Sequence, residues 1–100
     1  SWMQRSCDWP VGVPHNIASY ALLCHLLASW AKMRPGTIDC IFCDSHVYTN
    51  QIRTARLQAV RVLRELPTLE LRHSTTDFHD WSAEVRGYNP HPPIQYQVTV

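Results

Sequence analysis

The sequence has almost no excess charge: nine Lys and Arg stand against eight Asp and Glu, a formal balance of +1. Such a balance gives no general attraction to nucleic acid or to an anionic membrane, so any anion site has to be local. A long uninterrupted apolar run is missing too. The longest stretch, from Ile17 to Ala31, is broken by Ser19, His25 and Ser29. A membrane span needs about 20 apolar residues, so a buried helix is the better reading of this stretch. No basic segment precedes an early apolar one, so the pattern of a secretory signal is lacking. Without it, Cys7, Cys24, Cys40 and Cys43 are expected as free thiols of a cytoplasmic protein rather than as disulfides. Internal repeats and low-complexity segments are absent as well.

What is present is ordinary for a globular chain. With 100 residues, 45% of them apolar and 17% charged, the chain is one domain or part of one and not a disordered segment. It opens on Ser1-Trp2 with no initiator Met, and is expected to be a piece of a longer protein. Trp2 to Asp8 suits a strand. Trp9-Pro10-Val11-Gly12-Val13-Pro14 suits a proline-bounded turn, and Asn16 stands where the N-cap of a helix from Ile17 to about Met33 would be. That helix is apolar almost all round and is expected to be buried on most faces. Ile38 to Tyr48 is β-branched and aromatic, hence a strand. Gln51 to Glu65 has helical spacing up to Pro67. Thr68 to Arg72 and Trp81 to Arg86 alternate as strands. Ile94 to Val100 alternates again, as a strand or an extended tail. Helices and strands mix without strict βαβ order, which predicts an α+β fold with a mixed β-sheet packed around a buried central helix.

Four clusters of side chains carry candidate chemistry. In Gln4-Arg5-Ser6-Cys7-Asp8, a guanidinium fork beside a hydroxyl suits a phosphate, and a surface Arg–Asp pair is the plainer alternative. Strand alternation would put Arg5 and Cys7 on one face and Ser6 and Asp8 on the other. His46 and Tyr48 are two apart, so both leave the same face and can share a hydroxyl such as a sugar 3′-OH; half-buried rings bonded to the protein are the alternative. Cys40, Cys43 and His46 mimic half a zinc site, but residues three apart on a strand face opposite ways and no second ligand pair follows, which leaves buried thiols as the better reading. Asn16 offers a donor and an acceptor and can read an edge such as that of uracil, or it can cap the helix. Cys7 beside Arg5 has a neighbour that would favour its thiolate, without an adjacent His.

Taken together, these segments resemble thymidylate synthase. Gln4-Arg5-Ser6-Cys7-Asp8, then Gly12-Val13-Pro14, then Asn16-Ile17-Ala18-Ser19-Tyr20-Ala21-Leu22-Leu23, resemble the family's QRSxD…GxPFNIASYALL signature. Asp44-Ser45-His46-Val47-Tyr48-Thr49-Asn50 resembles its D-[AT]-H-[IL]-Y-x-N motif, and Gly87-Tyr88-Asn89-Pro90-His91-Pro92 its GYNPHP segment. Order and spacing agree over the whole of residues 1–100, which the resemblance implies are the C-terminal part of such a domain. It implies reductive methylation of dUMP to dTMP with 5,10-methylenetetrahydrofolate. It further implies that Arg5 and Ser6 hold the dUMP phosphate, that Asn16 bonds the uracil ring, that His46 and Tyr48 bond the 3′-OH, and that Ser19 lies near the nucleotide. Asp8 and Gly12 would face the folate, and the segment ending at Val100 would fold over both ligands. A homodimer is implied, with two arginines upstream of this segment crossing to the partner's phosphate site. No catalytic residue is expected within the chain, since the family's nucleophilic cysteine precedes the Arg-Ser motif.

The sequence departs from that pattern where His15 stands in place of Phe, Cys43 in place of Gly, and Leu63 and Glu65 in place of Pro. Two other readings remain beside methylation: a nucleotide hydroxymethylase of the same superfamily, in which water replaces hydride, and a non-catalytic nucleotide-binding fragment or degenerate copy. Relatives acting on dCMP carry Asp at the position of Asn16, so Asn16 favours uracil.

Overall fold

The computed structural model describes residues 1–74 and 76–98. Two short strands, β1 (Trp2–Gln4) and β2 (Cys7–Asp8), lead into a long helix, α1 (Gly12–Trp30). Strands β3 (Cys40–Phe42) and β4 (Ser45–His46) follow, then a 3-10 turn (Thr49–Gln51) that runs into a second helix, α2 (Ile52–Ala59). An antiparallel hairpin, β5 (Thr68–His73) and β6 (Trp81–Arg86), comes last.

The first two strand pairs are one parallel ribbon. Trp2 pairs with Cys40 and Cys7 with Ser45, the same offset on either side of a break. Backbone bonds carry the ladder across that break: Cys43 N–H to Gln4 O at 2.9 Å and Cys7 N–H to Asp44 O at 3.2 Å. The break follows from local geometry. Asp44 has φ 43°, a left-handed conformation that Asp tolerates better than most residues because its short side chain bonds locally. Two strands expected to be continuous, 2–8 and 38–48, are therefore each divided in two. Because α1 is the crossover between parallel strands, this half is a βαβ unit, which the sequence pattern had not suggested.

The expected mixed sheet is thus replaced, among the described residues, by two parallel pairs and a separate antiparallel pair. The helix also differs from expectation. It starts at Gly12, four residues ahead of Asn16, with Val11 as an N-cap that makes no side-chain bond. Pro14 is no obstacle in the first turn, where its missing N–H would have had no helical partner. Only Val13 and Leu26 of α1 are buried. A stripe at helical spacing, Ile17, Tyr20 and Leu27, with Leu23 beside it, is 41–53% exposed. Narrow two-stranded ribbons cannot cover a 19-residue helix on several sides.

What core there is lies where α1 meets the ribbon. Cys7 and Val13 are fully buried. Trp2 stacks at 4.2 Å on Tyr20 of α1 and meets Phe42 edge-on at 5.3 Å, while Trp9 meets Phe42 at 5.0 Å. Helix α2 ends at Ala59, well before Pro67, and no strand forms over residues 94–98, which run as the extended tail. The hairpin matches the expected strands closely, with Leu69 opposite Val85 and Leu71 opposite Ala83 on one face. It meets α1 through the Ser29 hydroxyl, bonded to His73 Nε2, and through Trp30 against Phe78 at 5.1 Å.

Candidate functional site

The ribbon register gathers the candidate residues. Asp8 in β2 pairs directly with His46 in β4. A Cβ at Gly12, at the start of α1, would be in ordinary contact with two candidate residues, 3.6 Å from Asp8 Cβ and 3.7 Å from Asn16 Oδ1. Asn16 is freed from capping because the helix begins earlier. Its Oδ1 instead accepts a 3.1 Å bond from Gln4 Nε2, which also donates to Ser6 O at 2.9 Å. With one lone pair so engaged, Asn16 retains its amide N–H groups and the other lone pair for a ligand edge.

His46 and Tyr48 share a face, as alternation predicts. Their rings meet edge-on at 5.2 Å. His46 Nδ1–H donates to Asp44 O at 2.9 Å, so the neutral ring presents Nε2 as an acceptor. The left-handed residue that breaks the ribbon therefore also fixes the orientation of this imidazole. Asp8 Oδ1 is buried without a hydrogen-bond partner. A buried carboxylate oxygen left unpaired is costly, and a ligand N–H would satisfy it.

Arg5 and Ser6 occupy the ribbon break. Arg5 is exposed and Ser6 half-buried. The ion pairs among the described residues are Arg72–Glu70, Arg86–Glu70 and Arg86–Glu84, so Arg5 is not spent on Asp8. Because the strand breaks here, Arg5 and the fully buried Cys7 do not share a face as alternation would have it. Cys7 Sγ–H points to Gln4 O at 3.6 Å: it is a core thiol, not a reactive one. Ser19 lies exposed on α1, one turn after Asn16. Val100 lies outside the described residues. Among the described residues no group of three or more His, Cys, Asp or Glu could hold a metal ion, and no helix is long and apolar enough to cross a membrane.

An open cleft of about 1010 Å³ is lined by chain neighbours of these residues, such as Trp9, His15 and Val47, and by none of the described candidate residues themselves. Trp9, Pro14 and His15 line one side; α2, the loop after it, Tyr88, residues 90–96 and Val98 line the other. His15 thus faces the cleft, while its neighbour Asn16 is bonded to Gln4. The far side is tied by polar bonds. Arg64 Nη1 donates to Asn89 O, Asn89 Oδ1 and Pro90 O at 3.2, 3.2 and 2.8 Å. His91 Nε2–H donates to Val62 O at 2.7 Å. Tyr96 O–H donates to Gln58 Oε1 at 2.5 Å, and Gln51 Nε2–H to Gln97 O at 2.7 Å.

Sequence reasoning missed Gln4, which orients Asn16, and Gln51 and Arg64, which hold the cleft wall. Gln4 alone carried a visible signal, since it opens the QRS segment.

A family model described as thymidylate synthase matches residues 1–100. The chain is 41% identical over 100 residues to a thymidylate synthase of Saccharomyces cerevisiae, covering 97% of this chain and 33% of that protein. It is 44% identical over 100 residues to a bifunctional dihydrofolate reductase-thymidylate synthase of Leishmania amazonensis, covering 97% of this chain and 19% of that protein. It therefore spans a third or less of the length of either relative.

Proposed function

The chain belongs to the thymidylate synthase family, and from that we propose that it forms the nucleotide wall and part of the folate side of an enzyme that reductively methylates dUMP. In this reading a thiolate from another part of the protein adds to C6 of dUMP, and C5 then attacks the methylene carbon of 5,10-methylenetetrahydrofolate. Loss of the C5 proton breaks the bond from the methylene to the folate nitrogen, hydride from the tetrahydrofolate so released reduces the exocyclic methylene to methyl, and the C6–sulfur bond cleaves to return the thiolate, leaving dTMP and dihydrofolate. Arg5 and Ser6 take the phosphate at the ribbon break. Asn16, oriented by Gln4, reads the O4/N3 edge of uracil, with Ser19 nearby. The His46 Nε2 lone pair and the Tyr48 hydroxyl bond the 3′-OH. Asp8 accepts from the pterin N–H beside Gly12, and the segment ending at Val100 covers both ligands, excluding water. The working form is a cytoplasmic homodimer.

The observation that carries this reading is the pairing of Asp8 with His46, with Gly12 lying between Asp8 and Asn16. It brings the Asp8 carboxylate beside the His46 ring, which supports a reading in which one bonds the folate and the other the sugar. The test is incubation of the full-length protein with dUMP and 5,10-methylenetetrahydrofolate. The expected products are dTMP and dihydrofolate in equal amounts. Tetrahydrofolate with 5-hydroxymethyl-dUMP would assign the hydroxymethylase instead, and dUMP binding without turnover a non-catalytic copy.

A further inference from the structure

Gln51 is the one buried polar side chain among the described residues, 1% exposed. Its Nε2–H donates to Gln97 O, whereas its Oε1 is buried with no partner. A half-satisfied buried amide is a poor way to fill space, since an apolar side chain of similar volume would orphan nothing. Packing does not explain it; the bond to Gln97 does. The Gln51 backbone N–H also bonds Tyr48 O at 2.9 Å, so the residue that carries the tether is itself fixed by the 3-10 turn. Around Gln97, the residues Ile94, Gln95, Tyr96 and Val98 line the cleft opposite Trp9 and His15.

We propose that Gln51 is a positioning residue: it holds residues 94–98 as the cleft wall, so that the ligand of the cleft binds well only when the amide is in place. The proposal identifies that ligand as the folate on the functional reading above, because Trp9, Pro10 and Val11, between the folate-facing Asp8 and Gly12 of that reading, line the cleft; the tether itself does not depend on it. The wall touches the cleft and not the ribbon break, so folate binding should suffer while dUMP binding does not.

The test uses the full-length protein and two variants, Gln51→Met, which fills the space without a donor, and Gln51→Asn, which keeps an amide too short to reach Gln97. Hydrogen exchange is followed over residues 94–98 and, as an internal reference, over β6. Losing one net hydrogen bond corresponds to about a tenfold change in an equilibrium. Exchange over 94–98 should accelerate about tenfold with β6 unchanged, and the KM for 5,10-methylenetetrahydrofolate should rise about tenfold, with kcat and the dUMP Kd within about twofold. Gln51→His, which restores a ring N–H donor, should recover most of both losses. Unchanged exchange in a folded variant overturns the tether. Loosened exchange with an unchanged folate KM overturns the positioning role, and so does an equal loss of dUMP affinity, which would mean general damage. A wild-type protein that makes no dTMP overturns the functional reading instead, and the exchange data still decide the tether.

Discussion

Residues 2–46 and residues 61–98 are built by different means. In the first, a parallel ladder runs through both strand pairs, a crossover helix packs on it, and Cys7, Val13 and the Trp2–Tyr20–Phe42–Trp9 cluster fill the contact. In the second, every residue of β6 is exposed, and the cleft wall hangs on side-chain bonds from Arg64, His91, Tyr96 and Gln51. The residues proposed to read the nucleotide belong, Tyr48 apart, to the first region, and the cleft wall to the second. A fixed register suits groups that must hold one geometry toward a base and a sugar. Individually replaceable polar ties suit a wall, because each contributes only about 0.5–1.5 kcal/mol.

The sharpest test of this difference is a matched pair of truncations in the full-length protein. Leu26→Ala removes a buried side chain, 6% exposed, from α1, and should cost about 2–5 kcal/mol in urea unfolding. Leu71→Ala, on the half-buried face of the hairpin, should cost about 1 kcal/mol, as burial is partial and the site can collapse. Equal losses would mean that the hairpin is as much a part of the core as the helix.

Next in size is Arg5→Ala. A charge-assisted bond to phosphate contributes about 1.5–3 kcal/mol, and Arg5 has no ion-pair partner among the described residues to compete for it. The dUMP Kd should rise by one to two orders of magnitude, read by titration calorimetry, with the unfolding midpoint unchanged. An unaltered Kd would remove Arg5 from the site.

Smaller again is the change expected from Asn16→Asp. Cytosine presents an amino donor at C4 and a bare acceptor at N3, the reverse of uracil, so a carboxyl that accepts from the amine, or a protonated one that also donates to N3, suits it better. Gln4 Nε2 can donate to a carboxylate as well as to the present Oδ1, so the side chain should keep its place. The ratio of kcat/KM for dCMP over dUMP should rise about tenfold, or ~1.4 kcal/mol. An unchanged ratio would leave Asn16 as a partner of Gln4 and nothing more.

Much of both regions was legible in the sequence, though not the joints of the first. The His46–Tyr48 face follows from alternation alone, and the hairpin strands follow from Leu69, Leu71, Ala83 and Val85. The ribbon break was hidden because Asp44 and Cys43 are not glycine, the residue that normally marks a left-handed turn. The helix start was hidden because Asn16 imitates an N-cap and Pro14 imitates a breaker, although proline is harmless in a first turn. The burial expected of α1 was inferred from its apolar residues, but burial needs a covering layer, and the described ribbons supply one on a single flank. The ties of the cleft wall were illegible for a different reason. Arg64 with Pro90 and Gln51 with Gln97 are long-range pairs between polar residues with no periodicity, and local pattern carries no information about them.

The smallest effect should come from the ion pairs of the hairpin. Glu70 accepts from Arg86 Nε at 2.6 Å and from Arg72 at 3.3 Å, and Glu84 lies 3.4 Å from Arg86. The 2.6 Å contact invites the view that this ladder holds the two strands together. The side chains argue otherwise: Arg86 is 58% exposed and Glu70 39%. At such exposure water screens the attraction, ordering two long side chains opposes it, and the net contribution is about 0–1 kcal/mol. Arg86 is also shared between two carboxylates, so its loss leaves Glu70 still paired with Arg72. Arg86→Ala should therefore shift the unfolding free energy by less than about 1 kcal/mol, and the shift should shrink further when salt is raised to about 1 M, where the screening length falls to about 3 Å. The dUMP Kd should not move, because the hairpin contributes no residue to the ribbon break. A loss comparable to that of Leu26→Ala would show that the second region is held by charge as firmly as the first is held by packing.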